Sequence, residues 1–171
     1  MHLFLPPAWP DYELLDSGHG RKLERYGTVR VIRPEPQAMW TPRASRGVWE
    51  DADAEFAGAG VAEDEEHAAR GQAGRWMTAP GLAESWLVRF EDLVVRAQLT
   101  PFRHVGLFPE QASQWVWVRD LICAAKPRDV RVLNLFGYTG MATLVAAALG
   151  AEVTHVDASK KAIEWARENQ A

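Results

Sequence analysis

The sequence predicts an α/β protein, with a β-rich small domain at the N-terminus followed by the first half of a Rossmann-like domain. Three observations support this fold class. Short β-branched runs broken by Gly and Pro occupy residues 12–46, a hairpin pattern follows at residues 86–100, and residues 130–171 alternate strand, glycine turn, helix, strand and helix. We therefore assign residues 1–105 to the N-terminal domain and residues 106–171 to the start of the Rossmann-like domain.

Composition limits the functions that the chain can have. The 171 residues are 47% hydrophobic, enough for a real core, and the net charge of -4 provides no global positive field for nucleic acid or membranes. Any nucleic-acid site must therefore be local. The single cysteine, Cys123, excludes a disulfide framework or a cysteine-based zinc site within one chain, and no metal site is predicted. A reducing, cytoplasmic setting is expected, without signal peptide or membrane span.

Two charged clusters in the β-rich part each have two interpretations. Five basic residues predict either a basic patch or a solvated face: Arg21, Lys22, Arg25, Arg30 and Arg33. Residues 50–66 carry eight acidic side chains among Ala and Gly, which predicts an irregular insertion near residues 50–75 that is not part of a sheet. Paired carboxylates can also serve acid-base chemistry or bind a metal, but this context favours simple solvation.

Residues 86–90 and 93–100 are expected to pair as an antiparallel hairpin around Glu91-Asp92. The eight tryptophans predict core filling, because a small sheet needs large apolar side chains. Stacking on exposed bases is the alternative use. After the turn-like segment GLFPEQ (residues 106–111), apolar residues recur at helical spacing, which predicts a helix from Glu110 to Ala125. Cys123 lies in that helix and is interpreted as a small buried hydrophobe.

The C-terminal part has the pattern of a β-α-β unit. VRVLNL predicts a buried parallel strand, residues 139–149 a helix that stops at Gly150, EVTHV a second strand, and KKAIEWARENQ a helix capped by Ser159. A right-handed crossover places the turn after the first strand at the carboxyl edge of the sheet, where ligands bind. Asp157 follows Gly137 by twenty residues, the spacing at which an acid accepts hydrogen bonds from a ribose.

The glycine turn favours a nucleoside ligand without phosphates. Gly137 and Gly140 allow unusual backbone dihedral angles and the close approach of a ligand, and the amides at the start of the helix offer donors. A dinucleotide would prefer the fuller G-x-G-x-x-G turn. A P-loop is excluded, because no G-K-[ST] step follows the glycines. The spacing alone still admits several nucleoside ligands.

The stretch VLNLFGYTG (residues 132–140) resembles the first motif of class I S-adenosylmethionine-dependent methyltransferases, in the branch that includes bacterial large-subunit ribosomal RNA methyltransferases. VTHVDAS, followed by WARENQ, is similar to the second motif of that branch, and GLFPEQ resembles the G-x-F-x-D-Q segment before its core. The family segment usually continues Asp-Gln-Arg, whereas this chain has Glu110, Gln111 and Ala112. A contact made by that arginine is therefore missing or supplied from elsewhere.

The resemblance implies S-adenosyl-L-methionine as the cofactor and assigns the residues that hold it. Its methionine part would lie beside Asn134, Phe136, Gly137, Tyr138, Thr139 and Gly140. Asp157 would bind the ribose hydroxyls, the adenine edge would lie near Ala158 and Ser159, and Phe108 and Gln111 would form a lid. Each assignment has a structural alternative: Asn134 and Thr139 as turn residues, Tyr138 as packing, and Asp157 as a helix cap.

The function that the resemblance implies is methyl transfer to RNA, specifically ribosomal RNA, with the β-rich domain presenting the substrate. The family's catalytic motif lies on a fourth strand, so the catalytic residues are expected beyond Ala171. The chain is thus expected to be a fragment, truncated after the second core strand, inactive alone and prone to associate through an uncovered apolar sheet face. Two alternatives remain open: a non-catalytic nucleoside-binding fragment and an NAD-dependent oxidoreductase.

Overall fold

The computed structural model describes residues 7–57, 74–125 and 130–170, and the chain divides into two compact units. The first, called the β unit, contains Trp9–Arg89 and Ala97–Val105. The second, called the α/β unit, contains Phe90–Arg96 and Gly106–Ala171. None of the helices in the described ranges is long and apolar enough to cross a membrane.

A five-stranded sheet in the order β1-β2-β3-β4-β5 forms the β unit. Its strands are β1 Tyr12–Gly18, β2 Arg21–Tyr26, β3 Val29–Pro34, β4 Ala54–Ala57 and β5 Arg75–Thr78. Strands β3 and β4 are parallel, whereas the other neighbours are antiparallel. A short helix, α1 (Arg46–Glu50), lies between β3 and β4 in the chain. The prediction of short strands and turns after residue 12 is confirmed.

The acidic stretch contributes to this sheet, so the prediction that it lies outside any sheet is wrong. Strand β4 includes Glu55, and its neighbours Ala54 and Phe56 are buried. This alternation gives the strand one buried face. Strand β4 could not be recognised in the sequence, because alanine and glutamate are both depleted in strands. Residues 58–66 of the stretch lie outside the described residues.

The five basic residues of the predicted cluster form neither a patch nor a freely solvated face, because each is paired with an acid. Strand pairing brings the partners together, as when Glu13 of β1 lies opposite Arg25 of β2. The four surface pairs are Arg21–Glu55, Lys22–Glu35, Arg25–Glu13 and Arg30–Asp51, with N–O distances of 2.9, 3.4, 3.2 and 3.8 Å respectively. The fifth basic residue, Arg33, is buried.

A buried ion pair joins β2 to β3. The Arg33 guanidinium donates from Nε to Oε2 of Glu24 at 2.7 Å and from Nη2 to Oε1 at 2.8 Å. The hydroxyls of Tyr12 and Tyr26 donate to the same Oε1 at 3.0 and 3.1 Å. Burial alone would raise the pKa of the Glu24 carboxyl, but the neighbouring Arg33 outweighs it and holds this pKa below its ordinary value.

The hairpin prediction is confirmed by β6 (Ser85–Phe90) and β7 (Leu93–Gln98), which form a two-stranded sheet. Their connection, Glu91-Asp92, is too short for anything but antiparallel pairing. The tryptophan prediction is correct for half of the set, since four of the eight are buried: Trp9, Trp49, Trp115 and Trp165. Two others are exposed, Trp40 by 57% and Trp117 by 49%.

The α/β unit contains the predicted β-α-β arrangement. Its elements are β8 Arg131–Leu135, β9 Glu152–Val156, α2 Ala112–Ala124, α3 Met141–Ala148 and α4 Lys160–Gln170, with a 3-10 turn at Pro109–Gln111 before α2. Strands β8 and β9 are parallel, with Asn134 opposite His155. The predicted helix around α2 is confirmed, but its Cys123 is exposed. The prediction of a buried thiol is therefore wrong. Consecutive residues of a helix point in different directions, so Cys123 faces solvent while its neighbour Ile122 is buried.

The two faces of the β8–β9 sheet differ. One face packs on a core of Ile122, Ala146 and Ala151, joined by Val132 and Val153. On the other face, three apolar side chains are exposed: Leu133 by 62%, Leu135 by 54% and Val156 by 44%. Within the described ranges this sheet is thus covered on one face only, which matches the uncovered apolar sheet face expected above.

We expect Glu24→Gln to lower the free energy of unfolding by about 3 to 5 kcal/mol, because it leaves the buried Arg33 charge unpaired. The matched control, Arg46→Gln, breaks an exposed pair with Glu50 and should cost about 0.5 kcal/mol. Both are measured by urea unfolding.

The folded pKa of Glu24 lies below its unfolded value, so the contribution of Glu24 to stability is complete above pH 4.5 and is lost as pH falls through the folded pKa. The difference between wild type and Glu24→Gln should therefore narrow in acid; equal losses in both variants would contradict this role.

Leu133→Glu should reduce self-association, because it places a charge in the exposed apolar face of the β8–β9 sheet. Sedimentation velocity measures the association. Leu87→Glu is the matched control, since Leu87 in β6 is also 62% exposed. The free energy of unfolding should change by less than about 0.5 kcal/mol in either variant. If both variants dissociate equally, or neither does, this face does not drive association.

Candidate functional site

A pocket lies at the carboxyl end of β8 in the α/β unit, the edge where parallel sheets bind ligands. Seven of the predicted site residues line it: Phe108, Gln111, Asn134, Phe136, Gly137, Tyr138 and Thr139. Its volume of about 90 Å³ is below the roughly 300 Å³ of a typical ligand pocket, so it would enclose only part of a nucleoside cofactor.

The glycine turn after β8 packs directly against β9. A Cβ atom on Gly137 would lie 2.4 Å from Cε1 of His155, which leaves room for glycine alone. Gly137 does not have a positive φ, whereas Gly140 has a φ of 95° and precedes α3. The expectation of an unusual dihedral angle is thus right for Gly140 and wrong for Gly137, which is required by packing.

The positive φ angles beside Gly137 belong to two aromatic residues, Phe136 at 56° and Tyr138 at 50°. Such angles are uncommon for residues other than glycine and cost of order 1 to 3 kcal/mol each, so the surrounding structure must hold them. Phe136 is 88% exposed. The ring of Tyr138 lies near those of Phe108 and Trp165, at centroid distances of 5.1 and 6.2 Å.

Thr139 and Asn169 fix the far side of the turn. Buried Thr139 donates from Oγ1 to the carbonyl of Gly106 at 2.6 Å, while its own carbonyl accepts from Nδ2 of Asn169 at 2.9 Å. Oδ1 of Asn169 accepts in turn from the amide of Arg96 at 2.9 Å. The structure therefore supports the turn-residue interpretation of Thr139. Asn169 was not predicted as part of the site, because no local pattern in α4 reveals a contact with a turn thirty residues earlier.

Asn134 begins a short chain of hydrogen bonds across the sheet. Its Nδ2 donates to Oγ1 of Thr143 at 2.9 Å, and Oγ1 of Thr143 lies 2.8 Å from Nδ1 of His155. With the Thr143 hydroxyl donating to Nδ1, the His155 proton is assigned to Nε2. The amide orientation of Asn134 that this network fixes leaves Oδ1 as an acceptor beside the pocket that Asn134 lines.

Asp157 is bonded to both the glycine turn and α4. Its Oδ1 accepts from the amide of Ser159 at 2.8 Å, and its Oδ2 from the amide of Tyr138 at 2.9 Å. These bonds, from Ser159 first and then Tyr138, hold the pKa of Asp157 below its ordinary value, so the carboxylate is ionised at neutral pH. Each oxygen retains a second lone pair. The helix-cap alternative explains the bond to Ser159 but not the bond to Tyr138.

Four predicted site residues do not line the pocket: Gly140, Asp157, Ala158 and Ser159. Asp157 is nevertheless next to it through Tyr138, and Ser159 caps α4 by accepting from the amide of Ala162 at 3.3 Å. Five lining residues were not predicted: Gly106, Leu107, Trp115, Met141 and Ala142. Met141 and Ala142 directly follow the glycine turn in the sequence, so their place in the pocket could have been predicted from the position of that turn.

Most amides of the turn are already bonded within the protein. Gly137 donates to the carbonyl of Val156 and Gly140 to the carbonyl of Gly137, both at 3.0 Å, in addition to the bond from Tyr138 to Asp157. No side chain caps α3. The first-turn amides of α3, at pocket residues Met141 and Ala142, therefore have no acceptor within the helix.

Fold and site together define a parallel β-α-β unit with a pocket at the carboxyl edge of its sheet, and comparisons with known proteins refine this class. The chain matches no protein-family model. It is 39% identical, over 84 residues, to a ribosomal RNA large subunit methyltransferase K/L of Magnetococcus marinus, a match that covers 48% of this chain and 11% of that protein.

Solved structures match over more of the chain. The SAM-dependent methyltransferase from Agrobacterium tumefaciens is 51% identical with a TM-score of 0.83, covering 94% of this chain and 47% of that one. A second methyltransferase structure, complexed with SAH, is 19% identical with a TM-score of 0.63 and shares the fold. The match covers 93% of this chain and 41% of the chain in that structure. The chain thus spans about half of these structures and about a tenth of the curated relative. These matches confirm the resemblance to S-adenosylmethionine-dependent methyltransferases and the Rossmann-like fold class.

Gly137→Ala should destabilise the α/β unit by about 1 to 3 kcal/mol, because its Cβ would overlap the His155 ring. The double variant Gly137→Ala/His155→Ala removes the overlap and should be less destabilised than the sum of the two single variants. Gly47→Ala is the control: like Gly137, Gly47 has no positive φ, but nothing lies within 4 Å of its added Cβ. Thermal unfolding measures all four variants. Strict additivity in the double variant would contradict the packing explanation.

Proposed function

We propose that the α/β unit binds S-adenosyl-L-methionine at this pocket and is part of an RNA methyltransferase. The observation that carries the proposal is the bond between the Asp157 carboxylate and the Tyr138 amide, which holds an ionised acceptor beside the pocket. Similarity to the methyltransferase from Agrobacterium tumefaciens supports the class of reaction. The ribosomal RNA methyltransferase from Magnetococcus marinus supports RNA, specifically ribosomal RNA, as the substrate.

The residues present fit this cofactor. The free lone pairs of Asp157 suit the two ribose hydroxyls, and Oδ1 of Asn134 suits the ammonium group of the methionine part. The uncapped amides at the start of α3 suit its carboxylate, which the helix dipole also favours. In this proposal Phe108 and Gln111 cover the methionine part, and the adenine edge lies near Ala158 and Ser159.

The proposed cofactor carries an activated methyl group, which a nucleophilic atom of the substrate would attack in line. The contribution of this chain to such a step is positioning. Asp157 and the start of α3 would fix the two ends of the cofactor, while Tyr138 and Phe108 would exclude water from one side. The same proposal places the protein in the cytoplasm, where ribosomal RNA is methylated.

The turn geometry argues against the oxidoreductase alternative. A nicotinamide dinucleotide needs free backbone amides to cradle its pyrophosphate. Here the amides of Gly137, Tyr138 and Gly140 donate to acceptors of the protein itself. A cofactor without phosphates does not need them. The remaining alternative, a nucleoside-binding unit without catalysis, uses the same pocket and differs only in its lack of methyl transfer.

Asp157→Ala should weaken the binding of S-adenosylhomocysteine by about 2 to 4 kcal/mol, because two hydrogen bonds to a charged acceptor are lost. Isothermal calorimetry measures the affinity, with NADH as the competing ligand. Asp92→Ala removes an exposed acid of the hairpin turn and should leave the affinity unchanged. Ser159→Ala removes the cap from α4 but keeps Asp157. Equal affinity in wild type and Asp157→Ala, or tighter binding of NADH than of S-adenosylhomocysteine, would refute the proposal.

A further inference from the structure

Trp40 is an exposed tryptophan with a fixed orientation. Its indole N–H donates to the carbonyl of Ser17 at 2.9 Å, although 57% of the residue is exposed. The preceding residue, Met39, is 84% exposed. The ring of a tryptophan is usually buried, because burial removes a large apolar surface from contact with water. A ring that is held by its polar atom while its apolar surface remains accessible is suited to contact a planar ligand.

The segment that carries Trp40 is fastened to the β1–β2 turn. The carbonyl of Trp40 accepts from the amide of His19 at 2.9 Å, and the carbonyl of Ala38 accepts from the amide of Gly20 at 2.8 Å. Further along, the Asp16 carboxylate accepts from the amides of Arg43 and Ala44 at 3.2 and 2.9 Å. The ring is thus presented by a backbone with fixed hydrogen bonds at several points, which lowers the entropy lost on binding.

The charged side chains within this segment are basic, although the Asp16 carboxylate is bonded to its backbone. Residues 36–49 contain two arginines, Arg43 and Arg46, and no acid, although the whole chain carries a net charge of -4. Arg46 is paired with Glu50. Arg43 is exposed and has no ion pair within the residues that the structure describes, unlike the five basic residues of β2 and β3.

We propose that Trp40 and Arg43 form a binding site for single-stranded RNA, in which a base stacks on the indole and the guanidinium contacts a phosphate. Base stacking on an aromatic ring contributes about 1 to 3 kcal/mol per base. A local cation, rather than a positive field over the whole molecule, fits a chain of this net charge. This inference names the part of the β unit that contacts the RNA substrate, and in that respect it rests on the proposed function.

Fluorescence anisotropy with a fluorescein-labelled single-stranded oligoadenylate tests the site directly. Trp40→Ala should weaken binding about tenfold, and Trp40→Phe less, because a smaller ring still stacks. Trp117→Ala is the matched control, since Trp117 in α2 is also about half exposed, and this variant should bind as wild type does. Arg43→Ala should lower the slope of log affinity against log salt by about 0.7, the value for one phosphate contact on a single strand.

Equal losses in Trp40→Ala and Trp117→Ala would overturn the inference, as would equal affinity for the oligoadenylate and for duplex RNA, whose bases are not exposed. Trp40-dependent binding to phosphatidylglycerol vesicles without binding to the oligonucleotide would overturn it in favour of a membrane surface. Calorimetry with S-adenosylhomocysteine separates the two proposals. Trp40→Ala should keep wild-type affinity for S-adenosylhomocysteine; if wild type binds the oligoadenylate through Trp40 but not S-adenosylhomocysteine, only the proposed function fails.

Discussion

The candidate site depends on the contact between the Gly137 backbone and the His155 ring. Parallel pairing places Asn134 opposite His155, so the turn that follows β8 must cross the end of β9. With no side chain at position 137, the turn lies close enough for its amide to bond to the carbonyl of Val156. The next amide, at Tyr138, then reaches the Asp157 carboxylate. The polar geometry of the pocket therefore follows from one position at which a Cβ atom cannot be accommodated.

Local sequence patterns predicted the helices and strands of the fold better than they predicted the contacts and burial of individual residues. The β-α-β unit and the hairpin have strong signals, because apolar periodicity and turn residues lie within a few positions of each other. The contact of Asn169 with the glycine turn has no such signal, since it depends on where α4 packs. Strand β4 was missed because Ala54 and Glu55 have low strand propensity, and packing of Phe56 in the sheet overrides it. The thiol of Cys123 was predicted to be buried because the helix was identified correctly but the side of it that faces solvent was not.

Charge in the β unit shows why a cluster of basic residues in a sequence does not by itself predict a nucleic-acid site. Antiparallel strands bring acids to basic residues that are far away in the chain, as Glu13 is brought to Arg25. Arg33 even lies in the interior, where it donates to the Glu24 carboxylate and to the Tyr26 hydroxyl. Arg43, which has no ion pair within the described residues, lies on a segment outside the strands of the sheet. Exposure and pairing, rather than the number of basic residues, therefore indicate where a polyanion could bind.

The glycine turn combines strain with several bonds that compensate for it. Two aromatic residues with positive φ would each favour another conformation. Hydrogen bonds to Asp157 on one side, and from Thr139 to Gly106 and from Asn169 to Thr139 on the other, hold the turn in place. Because these bonds are made between groups of the protein itself, they reduce the cost of ordering the turn when a ligand binds. The bond to Asp157, together with those from the amides of Gly137 and Gly140, also occupies turn amides that a pyrophosphate would need. The bond from Tyr138 to Asp157 therefore contributes both to the rigidity of the turn and to the proposed preference for a cofactor without phosphates.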